Sequence, residues 1–182
     1  MPGKVIWHVT MSLDGYIAGP DDSMEWATER ATELSPEAEA VIASVGAILG
    51  GRRWWGAAAT KYKGLDGIYG GAWKGPVLVL MHGKAKSPDS QRLRFISDSI
   101  REAVALALEA ARGKDVVLFG ADVAQQCLRA HLVDEMLIHV VPVLLGGGVR
   151  LIADNSVRKT DLETVSVTRS GQITNLHLRV LK

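Results

Sequence analysis

Cysteine is almost missing from this chain. Cys127 stands alone among 182 residues, so no intrachain disulfide can form, and that fits a reducing compartment. It lies in the apolar stretch 123–132, which reads as helix, where a buried small hydrophobe is favoured over a nucleophile. An excess of charge is missing too: Lys plus Arg is 21 and Asp plus Glu is 20. No long-range field would draw the chain to nucleic acid or to an acidic membrane surface, so neither is an expected partner. No apolar run approaches the roughly 20 residues that span a bilayer. The opening residues lead into a strand pattern rather than a charged and then apolar leader, so no signal peptide is expected and the expected location is cytoplasmic. His8, His82, His131, His139 and His177 are scattered without ligand spacing, so no metal site is expected. There is no GxSxG and no cysteine-centred dyad, which removes the common hydrolase nucleophiles.

What is present is a balanced globular composition, 47% hydrophobic and 23% charged, and a length that favours one domain over residues 1–182. Residues 4–11 are β-branched and aromatic and predict a first strand. Residues 12–23 predict a loop, punctuated by Gly15, Gly19 and Pro20. Ser35-Pro36 predicts a helix start, with Ser35 as N-cap, running to about Ser44 and burying Ala38, Val41 and Ile42. A short buried strand at 47–49 runs straight into Gly50-Gly51-Arg52-Arg53. Residues 56–75 interleave Gly64, Gly67, Gly70, Gly71 and Gly75 with Tyr62, Tyr69 and Trp73 and read as the least ordered part: a lid, a dimer contact or a plain excursion. A strand at 76–81, a helix at 99–112, a strand at 115–119, a helix at 120–130 and a strand at 135–141 follow. Residues 164–169 and 174–181 then alternate around Ser170-Gly171 as a terminal antiparallel hairpin. The order is β, α, β, α, β, β, α, β, α, β and a hairpin. That predicts an α/β three-layer sandwich: a mixed, mostly parallel sheet with helices on both faces.

Four stretches could carry chemistry. Gly50-Gly51-Arg52-Arg53 follows a buried strand, where parallel sheets bind ligands and where arginine forks suit phosphate; a solvated basic turn is the bland alternative. Gly120-Ala121-Asp122-Val123 carries a second strand into a helix whose N-terminus could hold a pyrophosphate, or is only a tight turn. It is not a GxGxxG fingerprint, so ordinary Rossmann binding is not supported. Two such turns in one small sheet could hold the two ends of a dinucleotide. Ser12-Leu13-Asp14-Gly15 and Gly146-Gly147-Gly148 complete the set; each is also an ordinary turn. Trp54-Trp55 could stack on a ring, though packing is the favoured reading.

In this order, the stretches resemble the dihydrofolate reductase-like family, and most of all the stand-alone relatives of the bacterial riboflavin-biosynthesis reductase domain, the RibD C-terminal domain. The matching text is Ser-Leu-Asp-Gly-Tyr-Ile-Ala at 12–18, Met24-Glu25-Trp26, Leu-Gly-Gly-Arg-Arg at 49–53 and Val-Leu-Val-Leu-Met-His at 77–82. It continues with Val-Leu-Phe-Gly-Ala at 117–121, Leu-Val-Asp-Glu at 132–135 and Val-Pro-Val-Leu-Leu-Gly-Gly-Gly at 141–148. The resemblance implies about eight strands and NADPH as hydride donor. It implies that Gly51, Arg52 and Arg53 hold cofactor phosphates and that Gly120, Ala121, Asp122 and Val123 lie against the pyrophosphate. It sets Ile17 and Ala18 beside the nicotinamide, and Met81 and His82 at the adenosine end. Ser12, Gly15, Trp26, Gly146 and Gly147 fall on its substrate side. Trp54 and Met81 stand where relatives often carry a hydroxyl, and Ala121 where they often carry glycine.

The leading expectation is an NADPH-dependent reductase acting on a C=O or C=N bond of a small heterocyclic or sugar-amine substrate. Asp14 and Glu25 are the candidate acids for the accompanying proton. Glu37 and Glu39 start the helix on which true dihydrofolate reductases place a pterin-binding carboxylate, but no motif aligns either, so folate reduction is not supported. The alternatives are a non-catalytic protein that binds NADPH or a pterin-like ligand, and a structural dimer module whose glycines serve only turns. A homodimer is expected.

Overall fold

The computed structural model describes residues 3–30, 34–83, 90–153 and 157–182. Its sheet has eight strands: β1 (Val5–Ser12), β3 (Val45–Gly51), β4 (Val77–Leu80), β5 (Leu93–Ile96), β6 (Asp115–Phe119), β7 (Glu135–Val141), β9 (Leu162–Ser170) and β10 (Ile173–Val180). Their spatial order is β5-β4-β3-β6-β1-β7-β10-β9. Six strands run parallel, and the closing hairpin adds two antiparallel ones beside β7. A short second sheet pairs β2 (Tyr16–Ala18) with β8 (Val149–Arg150).

The parallel strands are largely apolar because both faces are covered, with a few polar interruptions such as His8 and His139. Alternate residues separate the two cores. On one face Trp7, Leu49, Leu118 and Ile138 meet α4 (Ile100–Ala111) and α5 (Ala121–Arg129) through Ala103, Ala107, Ala124 and Cys127. On the other, Ile6, Ile48, Val117 and Leu137 meet Val41 of α2 (Pro36–Ser44), Ile68 and Trp73, with Trp54 of α3 (Arg52–Lys61) alongside. The chain moves outward from β1 to β3, β4 and β5, then returns to insert β6 between β3 and β1. Right-handed crossovers in opposite directions put helices on opposite faces, and the reversal leaves a crevice at the carboxyl ends of β3, β6 and β1.

Several boundaries differ from the sequence expectation. Ile42 is only half-buried, since Val41 takes the core-facing position of α2. β3 begins at Val45, two residues early. The hairpin turns at Gly171-Gln172, and Val165 and Val167 lie on its exposed outer face. The largest correction concerns 56–75. α3 spans residues 52–61, carried by Ala57-Ala58-Ala59, strong helix formers despite Gly56. Residues 64–71 form 3-10 turns that bury Ile68 and bring Tyr69 inward, so the segment packs against the sheet. The loop at 12–23 likewise contains β2 and a 3-10 turn at 20–22, followed by the short helix α1 (Glu25–Thr28).

Candidate active site

β3 and β6 are neighbours in register, with Gly50 opposite Phe119. Each runs into a helix through a glycine N-cap: Gly51 for α3 and Gly120 for α5. Neither cap residue can cap through a side chain. By contrast α2 and α4 are capped locally, by the Ser35 hydroxyl accepting from the Ala38 N–H and by a Ser99–Glu102 capping box. Two helix N-termini therefore offer first-turn N–H groups and positive dipole ends to one crevice. Gly120 has φ +89° and ψ 143°, a combination that essentially only glycine adopts. A Cβ on Gly50 would meet the Trp54 ring at 2.2 Å, so that glycine lets the indole lie against the strand.

The crevice opens into a cavity of about 980 Å³, within the usual range for small-molecule and cofactor sites. All eleven expected cofactor residues line it: Ile17, Ala18, Gly51, Arg52, Arg53, Met81, His82, Gly120, Ala121, Asp122 and Val123. The Arg53 Nε donates to the Asp22 carboxylate at 2.8 Å, tying the 20–22 turn to the start of α3. The Lys61 ammonium adds a second tie to the Asp21 carbonyl. Arg150 lies over the Tyr16 ring, 5.0 Å from its centroid, at the cavity rim formed by β2 and β8.

The expected acids and substrate residues are placed differently. The Asp14 carboxylate accepts from the Leu145 N–H (3.1 Å), the Gly146 N–H (2.7 Å) and the Ser12 hydroxyl (2.7 Å). Those bonds, led by Ser12 and then Gly146, hold its pKa down at about 2. It clamps the 144–146 turn to the end of β1 and does not line the cavity. Ser12 is fully buried, and its hydroxyl also accepts from the Tyr16 N–H. Gly15, Gly146 and Gly147 belong to the same clamp region outside the lining. The Glu25 carboxylate is exposed and accepts from the Tyr62 hydroxyl at 3.4 Å. The Trp26 indole donates to the Ser23 carbonyl. Neither Glu25 nor Trp26 reaches the cavity wall.

Instead, the cavity wall beside β1 is made by His8, Thr10, Tyr16, Met24, Tyr62 and Tyr69. His8 and Tyr69 belong to a chain of side-chain hydrogen bonds that the sequence reading missed. The Tyr69 hydroxyl meets His8 Nδ1 at 2.8 Å, His8 Nε2 meets His139 Nε2 at 2.8 Å, and His139 Nδ1 meets Asn175 Oδ1 at 2.7 Å. Burial, and then the neighbouring His139, lower the His8 pKa to about 3. Burial also lowers that of His139, against the Asn175 hydrogen bond and the Glu37 charge. Burial raises the Tyr69 pKa. Among the described residues, no group of three or more His, Cys, Asp or Glu could hold a metal ion, and no helix is long and apolar enough to cross a membrane.

An eight-stranded, mostly parallel sheet with this strand order, two glycine-led helix starts on one crevice and a closing antiparallel hairpin defines a dihydrofolate reductase-like α/β protein. The RibD C-terminal domain matches residues 71–176, and the chain belongs to that family. A putative riboflavin biosynthesis protein from Shewanella sp. PV-4 superposes with a TM-score of 0.80 at 21% identity, over 98% of this chain and 99% of that one. The Thermotoga maritima diaminohydroxyphosphoribosylaminopyrimidine deaminase/5-amino-6-(5-phosphoribosylamino)uracil reductase superposes at 0.70 and 15% identity, over 99% of this chain and 57% of that one. In sequence the chain is 25% identical to the uncharacterized protein YwjB of Bacillus subtilis (strain 168), over 97% of this chain and 98% of the relative.

Proposed function

We propose that this chain is an NADPH-dependent reductase that delivers hydride to a C=N or C=O bond of a small heterocyclic or sugar-amine substrate. The observation that carries the reading is the convergence of the α3 and α5 N-termini, through Gly51 and Gly120, on the cavity that all eleven expected cofactor residues line. The residues present suit the cofactor. Two helix starts without side-chain caps satisfy phosphate oxygens through backbone N–H groups, and Arg52 and Arg53 add guanidinium forks. Asp122 contributes through its backbone, because its carboxylate repels phosphate and is engaged by the Gln126 amide at 2.8 Å. When bound, NADPH supplies a hydride equivalent. The protein orients it against the β1 wall, where His8, Tyr16, Met24, Tyr62 and Tyr69 make an aromatic and largely apolar substrate chamber. The Thermotoga relative, a 5-amino-6-(5-phosphoribosylamino)uracil reductase, supports a ribosylamino-pyrimidine as the first substrate to test.

The test is NADPH oxidation by purified protein with that compound, alongside 7,8-dihydrofolate. Oxidation that depends on the ribosylamino-pyrimidine supports the reading. One observation favours a second version, a protein that binds NADPH without turnover: Asp14 and Glu25 both stand outside the cavity lining. NADPH binding without oxidation across a carbonyl and pterin panel would decide for it.

A further inference from the structure

With no expected acid at the cavity, the proton that must accompany hydride needs another source. We propose that Tyr69 is the proton donor of the reduction and that His8 and His139 reload it through a wire locked in direction by Asn175. The proposal rests on the reductase reading above.

The direction follows from the hydrogen bonds. The Asn175 amide is placed with Nδ2 donating to the Thr168 and Ser170 hydroxyls at 3.2 and 3.1 Å and with Oδ1 2.7 Å from His139 Nδ1, and in that orientation Oδ1 accepts from His139. His139 then carries its proton on Nδ1. In the neutral ring its Nε2 is bare and accepts from His8 Nε2–H. His8 Nδ1 is therefore bare in turn and accepts the Tyr69 hydroxyl proton. One amide fixes two tautomers and a hydroxyl rotor. In this resting state the tyrosine proton points away from the cavity.

One added proton reverses the chain. It resides on His139, which then holds protons on both nitrogens and donates Nε2–H to His8. His8 carries its single proton on Nδ1 and donates to the Tyr69 oxygen, and the Tyr69 O–H turns to the cavity. During reduction, hydride adds to the substrate carbon while the substrate nitrogen or oxygen takes the Tyr69 proton. Tyr69 takes the His8 Nδ1 proton, and His8 Nε2 takes the His139 Nε2 proton. The rings return to their resting tautomers, the charge leaves His139, and oxidised nicotinamide carries one more positive charge.

The surroundings favour His139 as the reservoir. Glu37 on α2 is its counter-charge. Burial acts to raise the Glu37 pKa, and hydrogen bonds from its own backbone, Thr168 and Ser35 together with the His139 field outweigh it, so the group stays ionised. Further along the same sheet face His177 is engaged with Glu135 at 2.9 Å, and Glu135 also takes Lys4. Tyr69 is the titratable group facing His8 from the 64–71 turns, and Thr10 of β1 beside it is uncharged.

The test is long-range nitrogen-15 NMR of the histidine rings as the pH falls from about 8 to about 4. At the upper end we expect His139 as the Nδ1–H tautomer and His8 as the Nε2–H tautomer. As the pH falls, one transition should charge His139 and switch His8 to Nδ1–H. Tyr69→Phe removes the acceptor for that Nδ1–H and should move the transition to lower pH, while the His177 signals stay in place as a check of the fold. Asn175→Leu should abolish the His139 tautomer preference. A His8 ring that keeps its Nε2–H when His139 charges, two independent titrations, or no proton uptake above about pH 4 would overturn the wire. NADPH-induced thermal shift on the same wild-type sample separates the two claims. Binding without the His8 switch sinks the wire alone, and the switch without binding sinks the reductase reading.

Discussion

Gly51 and Gly120 leave the sheet side by side. A Cβ placed on Gly120 would stand 3.9 Å from the Gly51 nitrogen and 3.1 Å from the Trp54 Cβ. Two strand-to-helix turns some seventy residues apart in sequence thus make one floor, because β6 inserts directly beside β3.

That floor tolerates no side chain at Gly120. Gly120→Ala should cost about 1–3 kcal/mol of stability through the forced backbone conformation, read as a lowered denaturation midpoint, and should weaken NADPH binding. Gly56 is the contrast. It lies in α3 with open space around its Cα, so Gly56→Ala should stabilise by about 0.5–1 kcal/mol.

Arg52 and Arg53 should act on affinity rather than on folding. Each change to Ala should weaken NADPH about tenfold, the worth of one charge-assisted hydrogen bond, and flatten the salt dependence of binding. Asp22→Asn should tighten NADPH, because it frees the Arg53 guanidinium and removes a negative charge from the cavity wall. Isothermal titration at two salt concentrations checks both.

Asp14 should behave as a structural clamp. Its folded pKa of about 2 lies below the usual 3.8, so its stabilisation is present above the higher value and is lost as the pH falls through the lower. Asp14→Asn should speed hydrogen exchange at the Leu145 and Gly146 amides and leave NADPH affinity unchanged. A loss of NADPH affinity in that variant would restore Asp14 to the site.

Cys127 should be inert. It is fully buried between α5 and the sheet, and burial pushes its thiol up to about 12. A thiol reagent should label it only on unfolding, at the rate of global opening.

The two glycine turns on the cavity were legible because their signals are local. A glycine after a buried run, followed by a helix start, marks a turn within a few residues, and both turns were found. The register that brings them together was not written in either. Most of the helix over 52–61 falls within 56–75, the stretch whose glycines read as least ordered, and packing against β3 and β4 decided otherwise. The acids were misplaced because an Asp-Gly turn looks the same whether it faces a ligand or clamps a neighbouring loop. His8, His139 and Asn175 had a signal that went unread. Each is a polar residue at an inward-facing position of an apolar strand, where period-two alternation puts Ile6, Leu137 and Ile173 on the same face. Such interruptions call for partners, and here the partners are each other and Tyr69.

The most direct measurement is NADPH binding followed by quenching of tryptophan fluorescence, with Trp54 in the cavity wall as reporter. The account predicts saturable quenching in the wild type that weakens about a hundredfold when Arg52 and Arg53 are both changed to Ala. No binding at millimolar NADPH, or equal binding by the double variant, would contradict it.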